Sequence, residues 1–266
     1  MCLIVIAWQQ HLEYPLIVAA NRDEYYDRPT ESAHIWQQSS DLLNTKILAG
    51  RDLTAGGTWL GINDKGKFTA VTNYREGIQE TQLHSRGKLA TNYLNNNMPP
   101  QQYARQCLDT GDQYNGYNLL LGEGEQLFYC SNRSPDIQQL PPGIYTLSNH
   151  LLNSPWPKSI HVKDELISLL WSDSTTPATP TSSQPINIDE IINCLHRREP
   201  FADEYLPDTG VGLEIERMLS PPFILSPDYG TRSTTVVLKD QMGKSTFVEQ
   251  NYEPGGLTGE RKVFDF

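Results

Sequence analysis

The sequence predicts an α+β fold in which strands at the two ends of the chain share one sheet system. Two short apolar runs, residues 2–8 and 16–20, open the chain on either side of a polar connection and predict a hairpin. Two more, residues 234–239 and 246–250, close the chain around a polar turn that contains Gly243. Helical spacing of apolar residues appears between these regions, so strands come first, helices lie in the middle and strands return at the end.

Further strands are predicted in the first 150 residues by short apolar runs between turn signals. They cover residues 47–50, 58–62, 68–73, 117–121, 127–130 and 143–147. Short helices are predicted over residues 85–94 and 101–108, with Pro99-Pro100 before the second, where proline is tolerated. A longer helix is predicted over residues 158–171, because its apolar residues fall on one helical stripe.

A segment rich in Ser, Thr and Pro follows, at about residues 172–186. It cannot pack a core, so we predict a flexible surface loop inside a single domain that spans residues 1–266. Asn187 then stands three residues before Glu190, and this pattern, similar to a capping box, predicts the start of another helix.

Composition excludes several classes of protein. Of the 266 residues, 38% are hydrophobic and 20% are charged, as in a globular protein with a sizeable core. The formal net charge of -11 excludes a broad surface for nucleic acid or anionic membrane, which needs clustered Lys and Arg. The four cysteines lie far apart with no Cys-x-x-Cys pair, which excludes a zinc framework and a dense disulfide scaffold and favours a reducing compartment.

Neither a secretory signal peptide nor a run of about 18 apolar residues is visible, so we expect a cytoplasmic protein without a membrane span. Gly56-Gly57 is not a phosphate-binding loop, because no Lys-Ser or Lys-Thr pair follows it. We therefore expect no nucleotide cofactor. Asp23, Glu24 and Asp27 fit no metal-binding loop motif, so we expect a solvated acidic turn there and no metal site. The expected partner is a small-molecule ligand.

Cys2 stands directly before the main part of the first apolar run, and two interpretations of it remain open. A free cysteine at a strand start is commonly a small buried hydrophobe. Alternatively, cleavage after Met1 would leave Cys2 as a terminal residue with both a thiol and a free α-amino group. An α-amine with a pKa of about 8 is close enough to neutrality to take the proton of the thiol.

Arg22 and Asp23 belong to the polar run Asn21-Arg22-Asp23-Glu24, which follows the second predicted strand. Such a run is usually a solvated turn, and its charges usually form a weak surface ion pair. In an antiparallel hairpin, however, the end of the second strand lies beside the start of the first. Arg22 and Asp23 are then expected near Cys2, where a guanidinium favours the thiolate and a carboxylate binds an amine.

Other candidate residues stand near strand ends. Asn73 and Asn149 are either ordinary turn formers or donors to a developing oxyanion. Arg232 precedes the strand predicted at residues 234–239 and is either an exposed arginine or a further site residue. In the stretch Gly56-Gly57-Thr58-Trp59, the glycines allow either a tight turn with Trp59 in the core or the close approach of another group.

Six spaced motifs occur in order along the chain, namely NRDE, GGTWLG, NYR, YNLL, LSN and SPDYGTRSTTVVL. With these motifs the sequence resembles the NRDE family, also called the transport-and-Golgi-organisation family, from Cys2 almost to its end. That family is similar to the N-terminal nucleophile hydrolases, among them the penicillin V acylases and bile salt hydrolases. The resemblance implies a four-layer αββα sandwich, with two stacked and mainly antiparallel sheets flanked by helices.

The resemblance also implies roles for individual residues. They are Cys2 as nucleophile, Arg22 and Asp23 as the early charged pair, Asn73 and Tyr74 at a strand end, Asn149 as oxyanion donor and Arg232 as the late arginine. The early pair is adjacent here, whereas the related enzymes space it more widely.

Two functions follow as expectations. The family is associated with intracellular haem trafficking and with lipid or acyl-CoA metabolism, which implies a haem-binding protein, with haem as cargo. The expected ligand-binding residues are Arg22, Arg75 and Arg232 at the rim and Trp59 and Tyr74 at the wall. The axial ligand is expected to be Cys2 or a histidine, with His150 favoured over His34 and His84 because it adjoins a motif. An acyl chain with a carboxylate or phosphate head would suit the same residues.

The alternative is an N-terminal-cysteine amidohydrolase or acyltransferase that acts on a linear amide or an acyl thioester. In that reaction the Cys2 thiolate attacks the carbonyl carbon, while Asn149 and the backbone at Asn73 stabilise the oxyanion. The scheme requires that Met1 be absent, because the free amine of Cys2 is its base.

Overall fold

A computed structural model describes residues 2–36, 45–77, 82–171 and 182–266. Most of the predicted Ser/Thr/Pro-rich loop, residues 172–181, lies outside these ranges. The described strands are β1 (Cys2–Trp8), β2 (Leu16–Tyr25), β3 (Thr30–Trp36), β4 (Ile47–Asp52), β5 (Leu60–Asn63), β6 (Lys67–Asn73), β7 (Tyr117–Glu123), β8 (Gln126–Ser131), β9 (Ser134–Gln139), β10 (Gly143–Leu147), β11 (Tyr229–Lys239), β12 (Ser245–Glu253) and β13 (Leu257–Asp265). The described α-helices are α1 (Gly87–Leu94), α2 (Pro100–Asp109), α3 (Pro157–Leu170), α4 (Ile188–Cys194) and α5 (Leu213–Met218).

The chain divides into two compact units. The first unit comprises Met1–Tyr26, Pro142–Ser148 and Leu152–Phe266, and the second comprises Asp27–Pro141 and Asn149–Leu151. None of the helices in the described ranges is both long and apolar enough to cross a bilayer.

The first unit is built on one antiparallel sheet. Its described strands follow the order β10-β1-β2-β11-β12-β13. Side chains alternate between the faces of a strand, and on one face Leu3, Ala19 and Val236 pack with Val162 of α3 and Ile191 of α4. Cys2 and its cross-strand partner Arg22 lie on the opposite face of β1 and β2.

The second unit is built on another antiparallel sheet, whose described strands follow the order β3-β4-β5-β6-β7-β8-β9. Val71 and Leu119 of this sheet pack with Tyr93 of α1 and Tyr103 of α2. The predicted fold class, α+β with mainly antiparallel sheets flanked by helices, is confirmed.

The largest corrections to the predicted strand boundaries concern β2 and β11. β2 continues to Tyr25, so the polar run from Asn21 to Glu24 lies inside the strand and not after it. β11 begins at Tyr229, so Arg232 also lies inside a strand. Both extensions occur because β2 and β11 pair with each other along this stretch, which supplies partners for their backbone groups.

Four elements were not predicted, namely β3, β9, β13 and α5. β3, β9 and β13 are outer strands of their sheets, and most of their side chains are partly or fully exposed, so they lack the apolar pattern on which the other strand predictions depended. The predicted cap of α4 is confirmed, because the side chain of Asn187 accepts a hydrogen bond of 3.0 Å from the amide of Asp189. Beyond the undescribed part of the predicted loop, Ser182 is buried and its amide donates to the carbonyl oxygen of Gln10 at 2.7 Å.

Gly56 and Gly57 have separate structural roles. Gly56 has a φ of 74°, a left-handed conformation that suits a turn. A Cβ atom on Gly57 would lie 2.4 Å from the carbonyl carbon of Gly87, the first residue of α1. The second glycine is therefore needed for close approach of the helix start, as one of the two interpretations of the motif proposed.

Candidate functional site

The start of β1 and the end of β2 bring the first candidate residues together. Cys2 and Arg22 are direct partners across these antiparallel strands, and Arg22 is also the partner of Ser233 on β11. Directly opposed residues of an antiparallel pair point to the same face, with Cβ atoms about 5 Å apart. The thiol, the guanidinium and the Ser233 hydroxyl therefore form a row across three strands, and the predicted proximity of Arg22 to Cys2 is confirmed.

Arg22 and Asp23 are buried although both carry charge. Arg22 is 5% exposed, and its Nη2 atom lies 3.8 Å from the carboxylate of Glu24. Asp23 is 1% exposed and accepts a hydrogen bond of 2.7 Å from the hydroxyl of Thr231. Burying charges costs free energy that a solvated turn would avoid, so the interpretation as a surface ion pair is wrong.

Arg232 lies at a β-bulge between Thr231 and Ser233. A bulge inserts a residue without a cross-strand partner and changes the direction of its side chain. The Nη1 atom of Arg232 donates a hydrogen bond of 2.8 Å to the carbonyl oxygen of Tyr25, the last residue of β2. Arg232 is thus attached to the strand that carries the buried charges.

Cys2 is buried and its thiol is free. Burial is the largest effect on the Cys2 thiol and raises its pKa. The carboxylates of Asp23 and Glu24 raise this pKa further, while the guanidinium of Arg22 lowers it. The thiol is consequently protonated near neutral pH. The effect of burial on the pKa of Cys2 outweighs the expected stabilisation of the thiolate by Arg22. The hydroxyl of Ser148 also donates to the carbonyl oxygen of Cys2, at 3.4 Å.

The second unit joins two predicted strand-end segments. Asn149 is fully buried, and its Nδ2 atom donates to the carbonyl oxygen of Asn73 at 3.0 Å. The amide of Arg75 donates to the carbonyl oxygen of Asn149 at 2.6 Å. Asn73, Arg75 and Asn149 therefore form one connected group, with Asn149 held as a candidate donor.

Asn118 on β7 completes this group, and sequence reasoning did not assign it a role. Its Nδ2 atom donates to the carbonyl oxygen of His150 at 3.0 Å and to the hydroxyl of Thr72 at 3.1 Å. Its Oδ1 atom accepts a hydrogen bond of 2.8 Å from the hydroxyl of Tyr129. Because a carbonyl oxygen only accepts, the contact with His150 fixes the orientation of the amide. A polar residue within the apolar run of the YNLL motif is the signal that points to it.

The aromatic candidates also lie in the second unit. The rings of Tyr74 and His150 are in contact, with centroids 4.9 Å apart and planes tilted by 36°. Burial lowers the pKa of His150, so its imidazole is neutral at pH 7 and can bind a metal ion through nitrogen. Trp59 is half-buried, and its ring lies so close to Gly50 that a Cβ atom there would be 2.4 Å from it.

The predicted site residues thus fall into two groups, one in each unit. The first unit holds Cys2, Arg22, Asp23 and Arg232, and the second holds Trp59, Asn73, Tyr74, Arg75, Asn149 and His150. Among the described residues, no cluster of three or more His, Cys, Asp or Glu side chains could hold a metal ion. The row in the first unit offers a thiol beside a cation and a hydroxyl, which suits a ligand with a carboxylate or carbonyl group.

Comparison with known proteins identifies the family. The model of the Transport and Golgi organisation 2 family matches residues 1–254. The human Transport and Golgi organization protein 2 homolog is 34% identical over 267 aligned residues, which cover 95% of this chain and 92% of that protein. The Drosophila melanogaster Transport and Golgi organization protein 2 is 26% identical over 273 aligned residues, covering 94% of this chain and 92% of that protein.

Among solved structures, penicillin V acylase from Agrobacterium tumefaciens matches all of this chain and 86% of its own, with a TM-score of 0.51 and 12% sequence identity. At this identity the match concerns the fold alone, and it agrees with the predicted N-terminal nucleophile hydrolase type of fold. The resemblance drawn from the six sequence motifs is confirmed by the family match. The chain belongs to the Transport and Golgi organisation 2 family.

Proposed function

We propose that the row of Cys2, Arg22 and Ser233 binds a small molecule through its carboxylate, and that the ligand is haem, as the family resemblance implies. The observation that carries this proposal is the buried guanidinium of Arg22 directly across from Cys2. A charge-assisted hydrogen bond between a guanidinium and a carboxylate is about twice as strong as a neutral one. Haem has two propionates, and Arg232 supplies a second cation from the neighbouring strand.

Iron ligation is proposed for Cys2, which lies in the same row as Arg22. Cys2 would bind iron as a thiolate, and its raised pKa means that binding would have to displace the thiol proton. The Soret spectrum of Cys2→Ala tests this ligation, because loss of the iron ligand moves the band.

Haem titration followed at the Soret band tests the proposal. Arg22→Gln is expected to weaken haem binding by about 10- to 100-fold, as for the loss of a hydrogen bond to a charged group. Arg217→Gln is the matched control, because Arg217 pairs on the surface with Asp203 and Glu214 and lies outside the row. Equal affinities of the wild type and Arg22→Gln would overturn carboxylate recognition by Arg22.

The second candidate is cysteine-dependent amide hydrolysis, which the position of Cys2 at the first residue of β1, beside Arg22, supports. After cleavage before Cys2, its free amine would take the thiol proton, and the thiolate would attack the amide carbonyl carbon. The C–S bond forms, the C–N bond breaks, and the amine leaves with the proton. Water then cleaves the thioester, releasing the acid and restoring the thiol.

The mass of the intact protein and a panel of linear amides test this second candidate. It requires a mass short by one methionine and turnover that is lost in Cys2→Ala. A full-length mass with no turnover would exclude it and leave haem binding untouched.

We extend the proposal to transport inside the cytoplasm. The relatives carry the word transport in their names, and all four cysteines are free, which suits a reducing compartment. Fractionation of cells that express the full chain checks the compartment, and recovery in an oxidising compartment would contradict it.

A further inference from the structure

We propose that Ser233 is the hydrogen-bond donor that binds the ligand carboxylate together with Arg22. The inference rests on the proposed function, since it concerns the same row of side chains. Ser233 lies on β11 directly opposite Arg22, in a row with Asn251 of β12. It is 3% exposed and directly follows Arg232 in the motif SPDYGTRSTTVVL.

The hydroxyl of Ser233 has no hydrogen-bond partner among the residues that the structure describes. A buried hydroxyl without a partner destabilises the folded protein, and such groups are uncommon in native structures. Arg22, the partner of Ser233 on β2, cannot accept the hydroxyl proton, because a guanidinium has donors and no acceptor. Asn251, its partner on β12, donates to the carbonyl oxygen of Glu260 at 3.2 Å and makes no hydrogen bond with the hydroxyl of Ser233. The hydroxyl is therefore a hydrogen-bond donor for which the described residues supply no acceptor.

The bulge at Arg232 explains why the Ser233 hydroxyl lies opposite Arg22. The register places Thr231 opposite Asp23 and Ser233 opposite Arg22, and it skips Arg232. Without the extra residue, Arg232 would stand opposite Arg22, and two like charges directly across a strand pair are destabilising. The bulge thus puts a neutral donor beside the buried guanidinium.

A carboxylate fits this pair of groups chemically. Its two oxygens carry about four acceptor sites, so one oxygen can accept from Arg22 while the other accepts from the Ser233 hydroxyl. The negative charge is balanced by Arg22, and the hydroxyl gains the partner that it lacks. Haem propionate and fatty-acid carboxylate share this chemistry.

The test uses Ser233→Ala in the full-length chain, with Ser245→Ala as the matched control. Ser245 is also a buried strand serine of this sheet, but it pairs with Lys239 at the opposite end of β11. Haem binding is read at the Soret band, and laurate binding is read by the rise in unfolding temperature. Loss of the hydroxyl is expected to weaken both ligands about 10- to 100-fold, while Ser245→Ala leaves both affinities unchanged.

Stability of the ligand-free protein separates a binding role from a structural one. Removal of a hydroxyl that has no partner should leave the unfolding temperature unchanged or raise it, whereas removal of a structural hydrogen bond lowers it. A lower unfolding temperature of Ser233→Ala without ligand, or unchanged affinities for both ligands, would overturn the inference.

The two ligands also separate this inference from the proposed function. If laurate stabilises the wild type but not Ser233→Ala and haem gives no spectral change, carboxylate binding at Ser233 stands and the haem proposal fails. If haem binds the wild type and Ser233→Ala equally, the haem proposal stands and the inference fails. Binding of neither ligand to the wild type would overturn both.

Discussion

Replacement of Asn21 by Ala is expected to destabilise the first unit strongly. Asn21 opens the NRDE motif and is fully buried. Its Nδ2 atom donates to the carbonyl oxygens of Leu195 at 3.0 Å and Pro222 at 2.9 Å. Its Oδ1 atom accepts a hydrogen bond of 2.6 Å from the hydroxyl of Thr234. One amide therefore holds β2, β11 and two loop segments together.

The magnitude follows from the three partners that Asn21→Ala would leave behind. Two carbonyl oxygens and one hydroxyl would lose their hydrogen bond in a buried place, and each such loss costs about 1–3 kcal/mol. Entry of water would reduce the sum toward its lower end. We expect the free energy of unfolding to fall by about 3–6 kcal/mol, which is a large share of the stability of a typical domain.

Urea denaturation followed by tryptophan fluorescence measures this loss. Asn193→Ala is the control, because Asn193 is an exposed asparagine on the neighbouring α4 and its removal should cost little. A loss below about 1 kcal/mol for Asn21→Ala would refute the reasoning, since it would mean that the three hydrogen bonds contribute no net stability.

Two further changes test other parts of the structure. Gly57→Ala should lower the urea denaturation midpoint more than Gly56→Ala. A Cβ atom on Gly57 would lie 2.4 Å from the Gly87 backbone, whereas one on Gly56 would have no atom within 4 Å and would cause only the backbone strain of the left-handed φ. Equal shifts in urea denaturation would contradict this reason. Burial and the nearby charge of Arg198 lower the pKa of His196, so below about pH 6.5 the unfolded chain takes up a proton that the folded chain resists. Stability should therefore fall as the pH is lowered from about 7 to 5, and His196→Phe should flatten this slope; an unchanged slope would show that His196 is not responsible.

The sequence allowed the hairpin at the amino terminus to be predicted, because its information is local. Two apolar runs and a polar connection define an antiparallel pair, and such a pair places the end of one strand beside the start of the other. The pairing of Cys2 with Arg22 follows from this geometry without any long-range knowledge.

Other parts of the site depend on contacts between distant residues and could not be predicted. The hydrogen bond between Thr231 and Asp23 joins positions 208 residues apart, and no local pattern reports it. The partners of Ser233 depend on a bulge whose position is set by the register of two strands. The outer strand β13 was missed because solvent covers most of its side chains, so the apolar alternation is absent.

The sharpest test of carboxylate recognition at Arg22 compares haem with its dimethyl ester. The ester keeps the iron and the porphyrin plane but removes both negative charges. We expect the wild type to bind the ester at least about tenfold more weakly than haem, and Arg22→Gln to distinguish the two less than the wild type does, with Arg232 left as the remaining cation. Equal binding of haem and the ester by the wild type would contradict the proposal, because the buried guanidinium beside Cys2 would then make no contact with the ligand.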